Sequence, residues 1–114
     1  WVLERLEEIM GRRLEPIHIV GGGTRNRLLN QFAADATGRQ VIAGPVEATA
    51  AGNIITQMMA LGHIASLREG RQIIRDSFEV TFYEPGARGG WDDAYERFLA
   101  VTRLPGAKQV RLTE

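Results

Sequence analysis

Val2, Leu3, Leu6, Ile9 and Met10 recur at helical spacing, and Glu8 precedes Arg12 by four residues, the order that favours a pair. This pattern predicts a helix over 1–12 ending near Gly11. The period then changes. The segment 16–20, PIHIV, is short and apolar apart from His18, as in a strand covered on both faces of a parallel sheet. Three consecutive glycines follow, Gly21, Gly22 and Gly23. Beyond them Leu28, Leu29, Phe32, Ala33 and Ala36 make one face of a predicted helix over 26–37, and Gly38 stands where a helix end needs a left-handed residue. The segment 40–43, QVIA, predicts a second buried strand.

Strand, glycine turn, helix and strand make a βαβ unit. Gly44-Pro45 punctuates the chain. A helix is predicted over 46–61, with Ala48, Ala51, Gly52, Ile55 and Met59 at spacing for close packing. Ser66 is placed to cap another through about Arg75, burying Leu67, Ile73 and Ile74. The alternation in FEVTFY predicts extended chain over 78–83, and Glu84-Pro85-Gly86 reads as a turn. Trp91, Ala94, Tyr95, Phe98, Leu99 and Thr102 mark a last amphipathic helix, and 105–114 reads as a loose tail. Two or three strands make a thin α/β sheet, and the chain opens on Trp1 rather than Met. Both features create the expectation of a piece of a larger protein.

Composition narrows the classes. Hydrophobic residues are 44% and charged residues 25% of the 114, close to the globular average. Fourteen basic residues balance fourteen acidic ones, which argues against a nucleic-acid or polyanion binder. The absence of cysteine removes disulfides and thiolate chemistry. No apolar run approaches the length of a membrane span, so a cytoplasmic protein without membrane contact is expected. Lys108 is the sole lysine. A phosphate held here would therefore be held by backbone amides, by arginine, or by another part of a larger protein.

The glycines carry the candidate chemistry. In open α/β sheets ligands bind at the carboxyl ends of strands, where a helix N-terminus offers unpaired amides, and glycine lets a ligand approach the backbone closely. Gly21, Gly22 and Gly23, with Asn26 at the helix start, meet that description. A dinucleotide fingerprint anchored on Gly21 and Gly23 fails, because position 26 is Asn and no acidic residue follows the second strand. A phosphate-binding loop of the Gly-Lys-Ser/Thr type is absent. On the residues alone, a tight turn is an equal alternative.

The block HIVGGGTRNRLLNQFAADATGRQVIAGPVEATAAGNI resembles the C-terminal-domain signature of the FGGY carbohydrate kinases, particularly the branch that phosphorylates rhamnulose. The resemblance rests on the GGG turn, Asn26, LLNQFAADATG and VIAGPVEATAAGN, in one continuous order. It implies that residues 1–104 are part of an actin-like (ribonuclease H-like) ATPase domain, lying on the nucleotide side of a two-domain clamp. It implies ATP or ADP as ligand, with Gly22 touching it through the backbone, Gly21 and Gly23 permitting the approach, and Asn26 hydrogen-bonding it. It further implies magnesium, and transfer of the γ-phosphoryl group to the 1-hydroxyl of L-rhamnulose. In that family the catalytic aspartate, the phosphate-gripping hairpin and the sugar pocket precede this segment. The chain alone is then expected to be inactive and to meet sugar only through the missing N-terminal part.

The remaining polar residues fit structural roles. Asp35 reads as a solvated or capping carboxylate, Glu47 as a complement to a helix dipole, and His18 as a buried strand residue. His63 reads as solvated, and two separated histidines make no metal site. Arg25 and Arg27 could touch a phosphate but read first as solvated. The competing expectations are a non-catalytic actin-like half-domain that binds nucleotide or a partner chain, and self-association through apolar faces left bare.

Overall fold

The computed structural model describes residues 1–104; the tail expected over 105–114 lies outside them. Helix α1, Val2–Met10, stops at Gly11, whose φ of 63° lies in the left-handed region. Strand β1, Ile17–Ile19, leads into a single 3-10 turn, Gly21–Arg25. Helix α2, Arg27–Thr37, starts where the Leu29 amide donates to Asn26 Oδ1 at 3.0 Å and ends at Gly38, φ 62°. Strand β2, Val41–Ala43, and helix α3, Ala48–Ala60, follow. Helix α4, Leu67–Ser77, is capped at both faces of its first turn. Glu69 N donates to Ser66 Oγ, and Glu69 Oε2 accepts from Ala65 N at 2.8 Å. Strand β3, Thr81–Tyr83, and helix α5, Trp91–Thr102, complete the order.

The sheet runs β1-β2-β3. β1 and β2 are parallel, with Ile17 opposite Val41 and Ile19 opposite Ala43, so the predicted βαβ unit is present. β3 lies antiparallel on the other side of β2, with Ala43 opposite Thr81 and Val41 opposite Tyr83. α2 packs on β2 and β3, and α5 packs on α2. The core is small: Val41 and Ala34 are fully enclosed, with Ala43 beside them. α3 and α4 pair as a hairpin around Ala51, Ile55, Ile64 and Gly70, with Ile55 Cγ2 lying within 2.5 Å of where a Gly70 Cβ would stand.

Several burial expectations are corrected. α2 turns Asn30 and Ala34 toward the sheet, while Leu28, Leu29 and Phe32 are exposed. The close approach of α2 to β2 leaves room for a methyl and a carboxamide, and pushes the larger side chains outward. Phe32 meets the Trp91 ring edge-on at 5.1 Å. His18 is exposed, because it lies on the sheet face of Ile42 and Phe82, where Phe82 is exposed as well, whereas Ile17 and Ile19 share the covered face with Val41 and Ala43. Leu67 and Met59 are likewise exposed, and Gly52 has open space around it rather than a neighbour.

An ion pair ties α1 to the α2–β2 connection. Arg39 Nη2 donates to both Glu7 oxygens at 2.7 Å, with the side chains 11% and 18% exposed. Glu7 Oε1 also accepts from the Leu14 amide at 2.7 Å. That amide, with Arg39 assisting, holds the Glu7 carboxyl below its usual range against the opposing effect of burial. A carboxyl whose pKa is depressed by folding contributes stability above its unfolded pKa, and the contribution is lost as pH falls through the folded value. The thermal midpoint of the wild type is thus expected to exceed that of Glu7→Gln by about 5 °C near pH 7, with the gap closing below about pH 4. Melting curves at stepped pH test this; a gap independent of pH would remove Glu7 ionisation from the account.

Candidate functional site

Because β1 and β2 are parallel, their carboxyl ends lie side by side, and both continue into glycine-containing loops. Gly21 N donates to Pro45 O at 3.1 Å and Gly44 N donates to Ile19 O at 2.9 Å, lacing the two loops together. Gly21 takes φ 79°, which a side chain would strain. The turn is braced from below. Thr24 Oγ1 donates to Gly21 O at 2.7 Å, Asn26 N donates to Gly23 O at 3.1 Å, and Asn30 Nδ2 donates to Thr24 O at 2.9 Å.

Gly22 differs from its neighbours. Alone of the three it has nothing within 4 Å of where its Cβ would be; like Gly23 it is exposed, and among the described residues its N–H has no hydrogen-bond partner. Asn26 is exposed as well. Its Oδ1 is committed to capping α2, while its Nδ2 has no partner among the described residues. Gly21, Gly22, Gly23 and Asn26 are therefore gathered on one turn, at the carboxyl edge of the sheet and the N-terminus of α2. That edge offers unpaired donors, the Gly22 N–H and Asn26 Nδ2 among them, with an open approach and the positive end of a helix dipole. Arg25 and Arg27 are exposed beside it and stand in no ion pair among the described residues. Such a surface can bind an anion by backbone contact.

Of the other polar residues, Glu47 follows Val46, whose carbonyl lies 3.9 Å from where a Gly21 Cβ would stand, and so is next to this edge in the chain, while Asp35 has structural partners. Asp35 Oδ1 accepts from Gln31 Nε2 and from Gly86 N, both at 2.8 Å, and so holds the β3–α5 loop against α2. Glu47 is the exposed N-cap residue of α3, and His63 is exposed. Among the described residues no three of His, Asp and Glu gather in a way that could hold a metal ion.

A groove of about 480 Å³ lies at the opposite end of α2, among Trp91, Tyr95, Phe98, Arg13, Arg39 and Arg88. The length of α2 separates it from the glycine turn by about 16 Å. Its guanidinium groups are already engaged: Arg13 with Glu15 and Gly38 O, Arg39 with Glu7, Arg88 with Asp92. The Tyr95 hydroxyl donates to Glu4, and burial together with that carboxylate pushes it up to about 12.

Sequence reasoning did not find Thr24, Asn30 or Gly44 as parts of this edge. A signal existed for Asn30, since asparagine is a poor helix-interior residue and here recurs one turn after Asn26.

The comparisons with known proteins bear on the chain as a whole. A family model described as "FGGY family of carbohydrate kinases, C-terminal domain" matches residues 1–61. The chain is 45% identical over 102 residues to a rhamnulokinase of Bacteroides thetaiotaomicron, covering 90% of this chain and 21% of that protein. It is 45% identical over 83 residues to a rhamnulokinase of Bacillus subtilis, covering 73% of this chain and 17% of the relative. With a rhamnulokinase of Klebsiella pneumoniae it shares 43% identity over 109 residues, 96% of this chain and 22% of the relative. The chain thus spans about a fifth of the length of the curated relatives it matches. No described helix is long and apolar enough to cross a membrane. The matched segment contains the first helix, the βαβ unit, the glycine turn and all of α3, and on it the chain belongs to the FGGY family of carbohydrate kinases, in whose C-terminal domain it lies.

Proposed function

We propose that residues 1–104 are the nucleotide-side portion of a rhamnulokinase-like sugar kinase, within an actin-like, ribonuclease H-like ATPase domain. The observation that carries the reading is the unpaired N–H of Gly22, on a glycine with no atom within 4 Å of its missing side chain, at the shared carboxyl edge of β1 and β2. In this reading Gly22 donates to a nucleotide phosphate or ribose oxygen. Gly21 and Gly23 keep the approach clear, and Asn26 adds its Nδ2 while its Oδ1 holds the helix start. Arg25 and Arg27 raise the local positive potential.

Magnesium ATP supplies the γ-phosphoryl group for the 1-hydroxyl of L-rhamnulose. Phosphoryl transfer depends on positioning and charge stabilisation, and this chain contributes grip on the nucleotide rather than a base or a sugar pocket. The chain alone is then inactive, and turnover in a cytoplasmic enzyme requires the rest of a longer protein. The bare apolar stripe of α1, Val2, Leu6, Ile9 and Met10, supports contact either with that remainder or with a second copy.

The test is a titration of the chain with magnesium ADP, following the amides of 21–26 by NMR. Saturable shifts confined to that turn are expected in the millimolar range. Asn26→Asp retains the capping oxygen, removes the Nδ2 donor and adds a negative charge, so affinity is expected to fall at least tenfold while the amides of α2 beyond its first turn stay put. An absence of shifts in the wild type at millimolar nucleotide would end the claim that this turn contacts nucleotide by itself.

A further inference from the structure

Asn30 is fully buried, yet only half of its carboxamide is satisfied. Nδ2 donates to Thr24 O at 2.9 Å, whereas Oδ1 is buried with no hydrogen-bond partner in the chain. A buried, unmet acceptor opposes folding, and asparagine is also a poor residue inside a helix. Leucine has the same branching and the same number of heavy atoms and would remove both costs, leaving only the Thr24 carbonyl without its donor. A residue that breaks a local rule without a compensating gain in stability points to function. The one thing this side chain does is hold the carbonyl of Thr24.

Thr24 passes the constraint on. Its hydroxyl donates to Gly21 O at 2.7 Å, and Gly21 N is tied to Pro45 O at 3.1 Å. A continuous chain of hydrogen bonds therefore runs from the buried face of α2, through Thr24, to the peptide units on either side of Gly21, and out to the loop after β2. Gly22, with its unpaired N–H and nothing within 4 Å of where its Cβ would stand, follows directly on Gly21. Its aim is set from beneath rather than by its neighbours on the surface.

We propose that Asn30 and Thr24 are positioning residues for nucleotide: they hold the glycine turn in the conformation that presents the Gly22 N–H, at a cost in stability. This rests on the reading of Gly21–Gly23 as a nucleotide contact. Neither residue touches the ligand. Both act by removing the conformational freedom that Gly21, Gly22 and Gly23 would otherwise have to lose on binding.

The test pairs affinity with stability for four variants of the full chain, with magnesium ADP as the probe. Asn30→Leu is expected to melt within a few degrees of the wild-type midpoint, because it trades the unmet acceptor of Asn30 for a Thr24 carbonyl left without its donor, and yet to bind about tenfold more weakly. Thr24→Val, which keeps the shape and loses the hydroxyl, is expected to bind about tenfold more weakly. Thr24→Ser, which restores the hydroxyl, should stay within twofold of the wild type. A role confined to stability gives the opposite split, with Asn30→Leu melting well below the wild type and any folded variant binding normally. If Asn30→Leu fails to fold, Asn30→Ala is read instead, together with the Thr24 pair. Unchanged affinity in Thr24→Val overturns the positioning role while leaving the nucleotide contact standing; absence of saturable binding in the wild type overturns both.

Discussion

Replacing Gly44 by alanine is expected to lower the thermal midpoint by at least about 10 °C, or to abolish cooperative unfolding. The residue follows the central strand β2, is buried, and takes φ 130°, a region that L side chains rarely enter. A Cβ there would stand 2.8 Å from Glu79 O, 3.2 Å from Val80 Cγ1 and 3.3 Å from Val80 Cα. Two of those three atoms are backbone, so no rotamer change relieves the clash. The backbone cannot retreat either, because Gly44 N is bonded to Ile19 O at 2.9 Å and the preceding Ala43 is in register with Thr81. Strain of about 1–3 kcal/mol adds to overpacking of about 1–3 kcal/mol. A total stability of about 5–15 kcal/mol is the ordinary range for a domain, and the small core here draws on its lower end. Circular dichroism melts decide the matter, with Gly52→Ala as the control. Gly52 sits inside α3 with nothing within 4 Å of its missing Cβ, so there alanine should raise the midpoint by a few degrees through helix propensity. A Gly44→Ala protein that melts with the wild type would mean that the 78–80 segment is free to move away from β2.

Much of the local structure was legible because it is specified locally. Gly11 and Gly38 end their helices in left-handed geometry, Asn26 and Ser66 cap theirs, and the PIHIV–GGG–helix–QVIA order produces the parallel pair. The partition between inside and outside was less legible. The face Leu28, Leu29, Phe32 has the period of a buried stripe, yet it is exposed, and Asn30 with Ala34 meets the sheet. Periodicity identifies a face but not its neighbour. When an element rests on a close backbone approach, the smallest side chains win the buried side. His18 was misplaced because its face of the sheet, shared with Ile42 and the exposed Phe82, is left open, whereas the expectation assumed cover on both faces. At the site, the residues that would face a ligand were readable from the glycine run. Thr24, Asn30 and Gly44 were not, because they act through carbonyls and through a loop more than 20 residues away in sequence, contacts that have no periodic signature.

The contrast between two adjacent glycines separates binding from folding most sharply. Gly22→Val is expected to melt within about 2 °C of the wild type, since position 22 is exposed, its φ is outside the left-handed region and nothing lies within 4 Å of the new Cβ. Its affinity for magnesium ADP should nevertheless fall by about a hundredfold or to nothing measurable. A donor must come within about 3 Å of an acceptor oxygen, and a branched side chain beside the Gly22 N–H fills that approach. Gly21→Val is expected to fail differently. A β-branched residue at φ 79° is a genuine outlier, and relief of that strain would break the Gly21 N to Pro45 O bond that joins the two loops. Its midpoint should drop by about 5–10 °C, and weakened binding would follow from the disturbed fold. Measuring both variants by melting and by titration therefore distinguishes a turn that holds a ligand from one that only reverses the chain. If Gly22→Val binds as tightly as the wild type, any nucleotide rests elsewhere, and the three glycines serve only to lead β1 into α2.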